Sequence, residues 1–417
     1  MLTAGKIMAG VWLLILAAGC SAPSRQDDPL LTGLIEADTS LMYEVMHRDS
    51  LEFQILYTRI DRDSLNQPHF TSYGYGLDST NYFYPASTIK LPIAVMALEK
   101  LQEQKSYKVD KYTTVFHDSA YSGQRPIRFD PSAETGLPSI AQYIRKVLMV
   151  SDNNASNALY EFLGQHEANE RVRKRGYHIS VLHRLSRAAT NEENRHTEAV
   201  WFTRNDSVLL RLPPLANPDS IRPYRKVFKG IGYREGDRLI QRPFDFTYKN
   251  EFPLKDQQDM LKAILFPASL PPARRFNISD DDRRFLMQYM SQYPRETNWP
   301  PYFRDSALYD ASVKYLMVAQ QKKPIPASIR IFNKIGGAYG YLIDNAYIVD
   351  FDNGVEFMLS AAINTNRDGI YNDDRYDYET IGYPFLRDLG QCIYRYELSR
   401  PRQHKPDLAA FRITYDR

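Results

Sequence analysis

Ser87-Thr88-Ile89-Lys90 opens an apolar run from Ile89 to Leu101, and further along the chain stand Ser151-Asp152-Asn153 and Lys334-Ile335-Gly336-Gly337. A serine in the first turn of a helix lies among backbone N–H groups without intrahelical acceptors, where the positive helix end favours developing negative charge. Lys90, three residues on, shares the face of Ser87. A hydroxyl is a poor nucleophile until a base takes its proton, and a desolvated lysine with a lowered pKa can act as that base. Pro92 is expected to bend or loosen the helix just beyond this turn.

The second motif falls between a helix beginning at Ser139 and another over 154–163. A short polar loop between packed helices can aim side chains into a cleft. Ser151 is a candidate proton relay to a leaving group, Asn153 a candidate partner for a substrate carbonyl, and Asp152 a cap for the following helix. In the third motif, glycines at 336 and 337 permit close approach of a ligand backbone. The Gly337 N–H could stabilise an oxyanion together with the Ser87 N–H, while Lys334 supplies positive charge. Each motif alone also suits an ordinary cap, solvated lysine or strand-ending turn; their joint order is what points to acyl transfer around a serine.

Outward from these motifs, residues 1–20 read as an export signal: Lys6, an apolar run from Ile7 to Ala18, then Leu16-Ala17-Ala18-Gly19-Cys20. Cys20 is the expected lipidated residue of a bacterial lipoprotein, which would place the chain at the cell envelope, facing the periplasm or the surface. Residues 21–30 read as a tether. Cys392 is then left without a disulfide partner and is expected to be a buried thiol. The net charge of +3 argues against nucleic acid as a partner, and the hydrophobic content of 43% argues for a packed core.

Residues 31–48 fit an amphipathic helix, and Glu52 to Ile60 and His69 to Gly76 read as strands. Helices are expected from about 87 to 165, one of them opened by a Ser139–Gln142 capping box. Three more strands follow, Ser328 to Asn333, Asn345 to Phe351 and Val355 to Ile363, the last two joined by Asp352-Asn353-Gly354, a hairpin signal. A helix from about Glu379 to Tyr396 closes the chain. The pattern predicts an α+β (α/β) fold: a five-stranded antiparallel sheet built from both chain ends, with a helical subdomain. Residues 31–417 form one domain in this reading, with a proline-broken, elaborated lobe at about 200–320 that contains a helix begun by Ser279 and Asp282.

Taken together, the three motifs resemble those of the serine β-lactamase and penicillin-binding superfamily, the class A branch in particular. The resemblance implies a β-lactamase/transpeptidase-like fold with Ser87, Lys90, Ser151 and Lys334 as catalytic residues. It assigns Asn153, Gly336 and Gly337 to substrate binding. It implies an acyl-enzyme at Ser87, with no cofactor or metal, in a monomer. The substrate would be a β-lactam or a cell-wall peptide, and the membrane would be met only through the lipid anchor. Two departures bear on activity. Ile335 stands where the family has a hydroxyl residue, and the loop from Arg184-Leu185-Ser186-Arg187 to Asn194-Arg195-His196-Thr197 has Ala188 and Ala189 where a deacylating glutamate is expected. Glu192 and Glu193 are the nearby substitutes, and His196 replaces the aspartate that pairs with the loop arginine. A D,D-peptidase or esterase with slow deacylation, or a non-catalytic binder of cell-wall peptides, are the other readings. Asn364, Asn366, Asp368 and Asn372 follow the opening of a calcium loop, but Arg375 occupies the place of the bidentate glutamate, which favours an ordinary turn.

Overall fold

Ile, Tyr, Phe and Leu recur along the runs that form the central sheet in the computed structural model, which describes residues 25–205, 207–218 and 223–417. Its strands are β1 (Gln26–Asp27), β2 (Gln54–Arg62), β3 (Pro68–Leu77), β4 (Ile329–Ala338), β5 (Tyr341–Asp350) and β6 (Val355–Asn364). They lie in the antiparallel order β1-β3-β2-β6-β5-β4, so the two ends of the chain meet where β2 pairs with β6. The expected five strands are present. The sixth is the two-residue β1, whose Gln26 and Asp27 pair with Leu77 and Tyr75.

That pairing corrects the tether. Its second half, from Arg25 on, is built into the sheet edge and leads into α1 (Pro29–Glu36). The expected single helix over 31–48 is broken after Glu36, because Asp38 turns the chain by accepting a bond from the Ser40 N–H. The export signal and Cys20 lie outside the described residues.

The two faces of the sheet bury separate cores. On one, Phe332, Tyr347 and Met358 pack against α2 (Lys90–Glu103), α3 (Ile140–Met149) and α4 (Asn153–Leu163), with α5 (Leu254–Leu265) and α6 (Asp280–Ser291). On the other, Ile331, Ile335 and Leu359 pack against α1 and α7 (Tyr383–Ser399). Strand alternation puts Ile335 on this second face. Its missing hydroxyl is therefore a property of the core behind the sheet.

The stretch from 200 to 320 does not behave as one lobe. Ala199–Arg204 and Ser207–Leu212 form a small sheet with Thr114–Asp118, whereas α5 and α6 belong to the main helical layer. Ser279 caps α6 as expected, its hydroxyl accepting from the Asp282 N–H at 3.0 Å. Only the part around 223–250 forms an added cap, its Gly232–Glu235 strand pairing in parallel with Ile370–Tyr371. Cys392 is buried as expected, and burial pushes its thiol up to about 12.

Candidate active site

Ser87 sits in a tight turn, Ala86–Ile89, that leads into α2, and Ala86 just before it has a left-handed backbone (φ +47°). For a residue with a Cβ this conformation is uncommon, and it marks the turn that presents the serine. Thr88 fastens the turn, its N–H and hydroxyl both reaching the Pro85 carbonyl at 3.1 and 2.7 Å. Pro92 leaves α2 unbroken as far as Glu103. It lies in the first turn of α2, where its missing N–H has no intrahelical acceptor to lose.

The N-cap of α3 departs from the expected box in one respect. Ser139 accepts from the Gln142 N–H at 3.1 Å, but the Gln142 side chain bonds Ser132 instead of returning. After α3, Ser151 adopts φ +59° and Asp152 caps α4, accepting from the Ala155 N–H at 2.7 Å. These caps hold Ser151 and Asn153 toward Lys90.

Lys90 is fully buried. Its ammonium contacts the Ser151 carbonyl and donates to Ser151 Oγ at 3.3 Å and to Asn153 Oδ1 at 2.6 Å. Burial, opposed only weakly by the Asp152 charge, lowers its pKa to about 7. From the other side Lys334 Nζ donates to Ser151 Oγ at 2.8 Å and to the Ile335 carbonyl at 2.9 Å. Burial, and then the neighbouring Lys90 charge, hold Lys334 well below the usual lysine range. The Ser151 hydroxyl thus lies between two lysines, each readier than an ordinary lysine to give up its proton.

Gly336 explains why the third motif needs glycine. A Cβ there would stand 2.6 Å from the Pro85 carbonyl and 3.1 Å from the Ser87 nitrogen. The strand therefore touches the nucleophile's turn through its own backbone. Gly337, one residue on, lines the cleft with Ser87 and Asn153. This cleft encloses about 740 Å³.

Several walls of the cleft escaped the sequence reading. Ser186, in a left-handed conformation, accepts from Asn153 Nδ2 at 2.6 Å. Tyr339, Asn372, Asp374, Tyr376 and Tyr378 line it as well, together with Lys249 and His183. His183 shares its Nδ1 proton with the Arg184 carbonyl at 2.6 Å and stacks on Tyr84. Burial, reinforced by the Lys249 charge, pushes it down to about 4. Only the Asn364–Asn372 pattern gave a hint of this region. There the Asn364 and Asp368 side chains accept from backbone N–H groups at Asn366 and Ile370, as turn residues do.

The two glutamates offered as substitutes are engaged elsewhere. Glu192 pairs with Arg195 and His196, and Glu193 closes a capping box with Thr190 while accepting from Ser122 at 3.0 Å. Neither lines the Ser87 cleft. The loop arginine also has a different partner from the expected one. Arg184 pairs with Glu161 of α4 and donates to the carbonyls of Glu193 and His196. His196 thus contributes its backbone where the family pattern has a side chain.

The family model described as "Beta-lactamase enzyme family" matches residues 65–211, the span carrying Ser87, Lys90, Ser151 and Asn153. That match agrees with the resemblance read from the first two motifs, and it covers about a third of the chain. A class A β-lactamase representing the last common ancestor of Gram-negative bacteria aligns at 14% identity and a TM-score of 0.46, over 88% of this chain and 99% of its own. The chromosome-encoded β-lactamase of Vibrio parahaemolyticus aligns at 14% identity and 0.45, over 87% and 98%. A variant of PBP-A, solved as its acyl-enzyme complex with penicillin G, aligns at 15% identity and 0.45, over 88% and 96%. No curated protein matches the chain by sequence.

Proposed function

We propose that this chain is a serine hydrolase that forms an acyl-enzyme at Ser87 with a β-lactam or cell-wall peptide, and that it releases the acyl group slowly. The observation that carries the reading is the placement of Ser151 Oγ within 3.3 Å of Lys90 and 2.8 Å of Lys334, next to Asn153, which lines the cleft with Ser87. In this mechanism neutral Lys90 takes the Ser87 proton as the hydroxyl attacks the acyl carbon. The Ser87 and Gly337 N–H groups receive the negative oxygen. Ser151 passes a proton to the departing group and is resupplied by a lysine. Asn153, held by Lys90 and Ser186, fixes the spacing of the two halves of the cleft.

Release of the acyl group needs a base that activates water. Glu192 and Glu193 are committed elsewhere, and Ser186 has no proton-accepting power near neutral pH. That favours a penicillin-binding D,D-peptidase or esterase over a rapidly deacylating class A β-lactamase. Intact-mass spectrometry of residues 21–417 with a penicillin tests both steps. A persistent adduct abolished by Ser87→Ala is the expected result; an adduct that forms and then disappears as the drug is consumed would return the reading to β-lactam hydrolysis. No adduct at any time, with ligand affinity unchanged by Ser87→Ala, would leave a peptide binder. Anchoring through a lipidated Cys20 belongs to the same proposal: Cys20→Ala should move the protein from the membrane to the soluble fraction.

A further inference from the structure

We propose that the added cap around 223–250 docks on a bilayer of anionic lipid, a membrane contact separate from the lipid on Cys20. One part of the argument, the reach of the tether, rests on that proposed lipidation. β1 begins at Gln26, so only residues 21–24 stand between Cys20 and Arg25. Fully extended, the chain from Cys20 to Arg25 spans no more than about 18 Å. Gln26 lines a cavity of about 220 Å³ together with Arg225 of the cap. Arg225 is fixed there, donating to the carbonyls of Ser79 and Thr80 at 3.1 and 2.6 Å and pairing with Glu251 at 2.7 Å. A lipid on Cys20 therefore keeps the foot of the cap within a short tether's length of the bilayer.

What the cap presents fits such a surface. Residues 223–249 carry seven lysines and arginines against Glu235, Asp237 and Asp245, more net positive charge than the chain's total of +3. The Gly232–Glu235 and Arg238–Ile240 strands pair so that Tyr233 stands opposite Ile240 and Arg234 opposite Leu239. Tyr233 packs inward on Phe244, so alternation turns Leu239 outward, 43% exposed. A Cβ at Gly232 would stand 3.0 Å from Ile370 Cδ1 and 3.5 Å from Leu239 Cδ1, which places those two side chains together on the outer face. Ile231, 70% exposed, stands beside Gly369. In the Phe228–Lys229 strand, Lys229 bonds Glu52 and Asn81 of the body, which leaves Phe228 on the opposite side, 57% exposed. Lys226 and Arg238 are exposed in the same segment. Large apolar side chains set among cations match a lipid interface: the apolar groups enter the headgroup region and the cations meet lipid phosphates. Docking carries the active site along, because Asn372 of the cleft wall donates to the Arg234 carbonyl at 3.4 Å. The cap contact alone is reversible, so it orients an anchored chain and does not replace the anchor.

The test uses residues 21–417, which lack Cys20, so lipidation plays no part in its outcome. Sedimentation with vesicles of phosphatidylglycerol and phosphatidylethanolamine, and with vesicles of phosphatidylcholine alone, gives the partition coefficients. The expected result is binding to the anionic vesicles only, released by added salt. Lys226→Glu with Arg238→Glu, and separately Phe228→Ser with Ile231→Ser, should each lower that partition at least about tenfold with circular dichroism unchanged. As an independent reading, Ile231→Trp should shift its fluorescence to the blue on anionic vesicles. No binding to anionic vesicles, equal binding to neutral ones, or a partition that survives either double variant would overturn the proposal. The two membrane readings are separable: fractionation of Cys20→Ala decides the anchor, and the vesicles decide the cap.

Discussion

Lys334 Nζ lies 2.8 Å from Ser151 Oγ, joining an edge strand to an interhelix loop across 183 residues of sequence. The same hydroxyl receives Lys90 from the opposite side at 3.3 Å. Ser151→Ala leaves both ammonium groups in place and removes only the atom between them. Acyl-enzyme formation should fall by about a hundred- to ten-thousandfold, the usual range for losing a positioned proton donor. Circular dichroism should show the fold intact, so a loss below fivefold would remove Ser151 from proton transfer.

The pH dependence follows from Lys90. Its folded pKa of about 7 lies below the ordinary lysine value of 10.5, so the base form accumulates as pH rises through 7. The rate of Ser87 acylation should climb through that region. Between pH 7 and 10.5 the unfolded chain binds a proton that folded Lys90 does not, so this group's contribution makes stability rise with pH there. Lys90→Met should lose both the acylation and that part of the stability slope, measured by thermal melts from pH 6 to 10. An unchanged slope would place the Lys90 pKa near its ordinary value.

Ser186 occupies the wall of the cleft where it accepts from Asn153 at 2.6 Å. A carboxylate at this position would face the same cleft and could act on a water there. Ser186→Glu is expected to shorten the lifetime of the penicillin adduct by at least about tenfold, since general-base catalysis supplies factors of this size. A lifetime equal to that of the wild type would show that slow release has a cause other than the missing base.

Gly336→Ala places a methyl group 2.6 Å from the Pro85 carbonyl. Something must shift, and both contacting atoms are backbone. Overpacking of this kind costs about 1–3 kcal/mol. Because the displaced segment is the turn bearing Ser87, acylation should fall along with the melting temperature. Gly337→Ala meets the Leu342 side chain at 3.1 Å, a partner that can yield, and should cost less stability.

The sequence carried the parts of the site that are local. Ser87 and Lys90 are one helical turn apart, and the Asp152 cap is written in three consecutive residues. The two strand clusters at the chain ends were legible from their aromatic and branched residues. What stayed hidden depends on long-range partners. Helix α5 was missed because its buried face carries Gln257 and Gln258, which break the apolar period yet bond Phe252, Leu56 and Ser360 inside the core. The Asp-rich start at Gln26–Asp27 looked like a tether because a two-residue edge strand has no pattern of its own. Glu161, the partner of Arg184, lies 23 residues upstream of it, whereas the motif led the eye downstream to His196. Lys249 and Tyr376 reach the cleft only because the cap strand pairs beside Ile370–Tyr371.

Behind the sheet, Asp344 accepts from Asn333 at 2.7 Å, and Asn333 accepts in turn from the buried Lys314, itself lowered to about 7 by burial. Lys314 and Lys334 therefore share the field of a single enclosed carboxylate, and a proton held by Lys90 or Lys314 discourages one on Lys334. Such a group of amines works as a reservoir kept partly empty. An anion entering the cleft lowers the cost of filling it, so binding should draw hydrogen ions from the buffer, and apparent affinity should weaken as the medium becomes more alkaline.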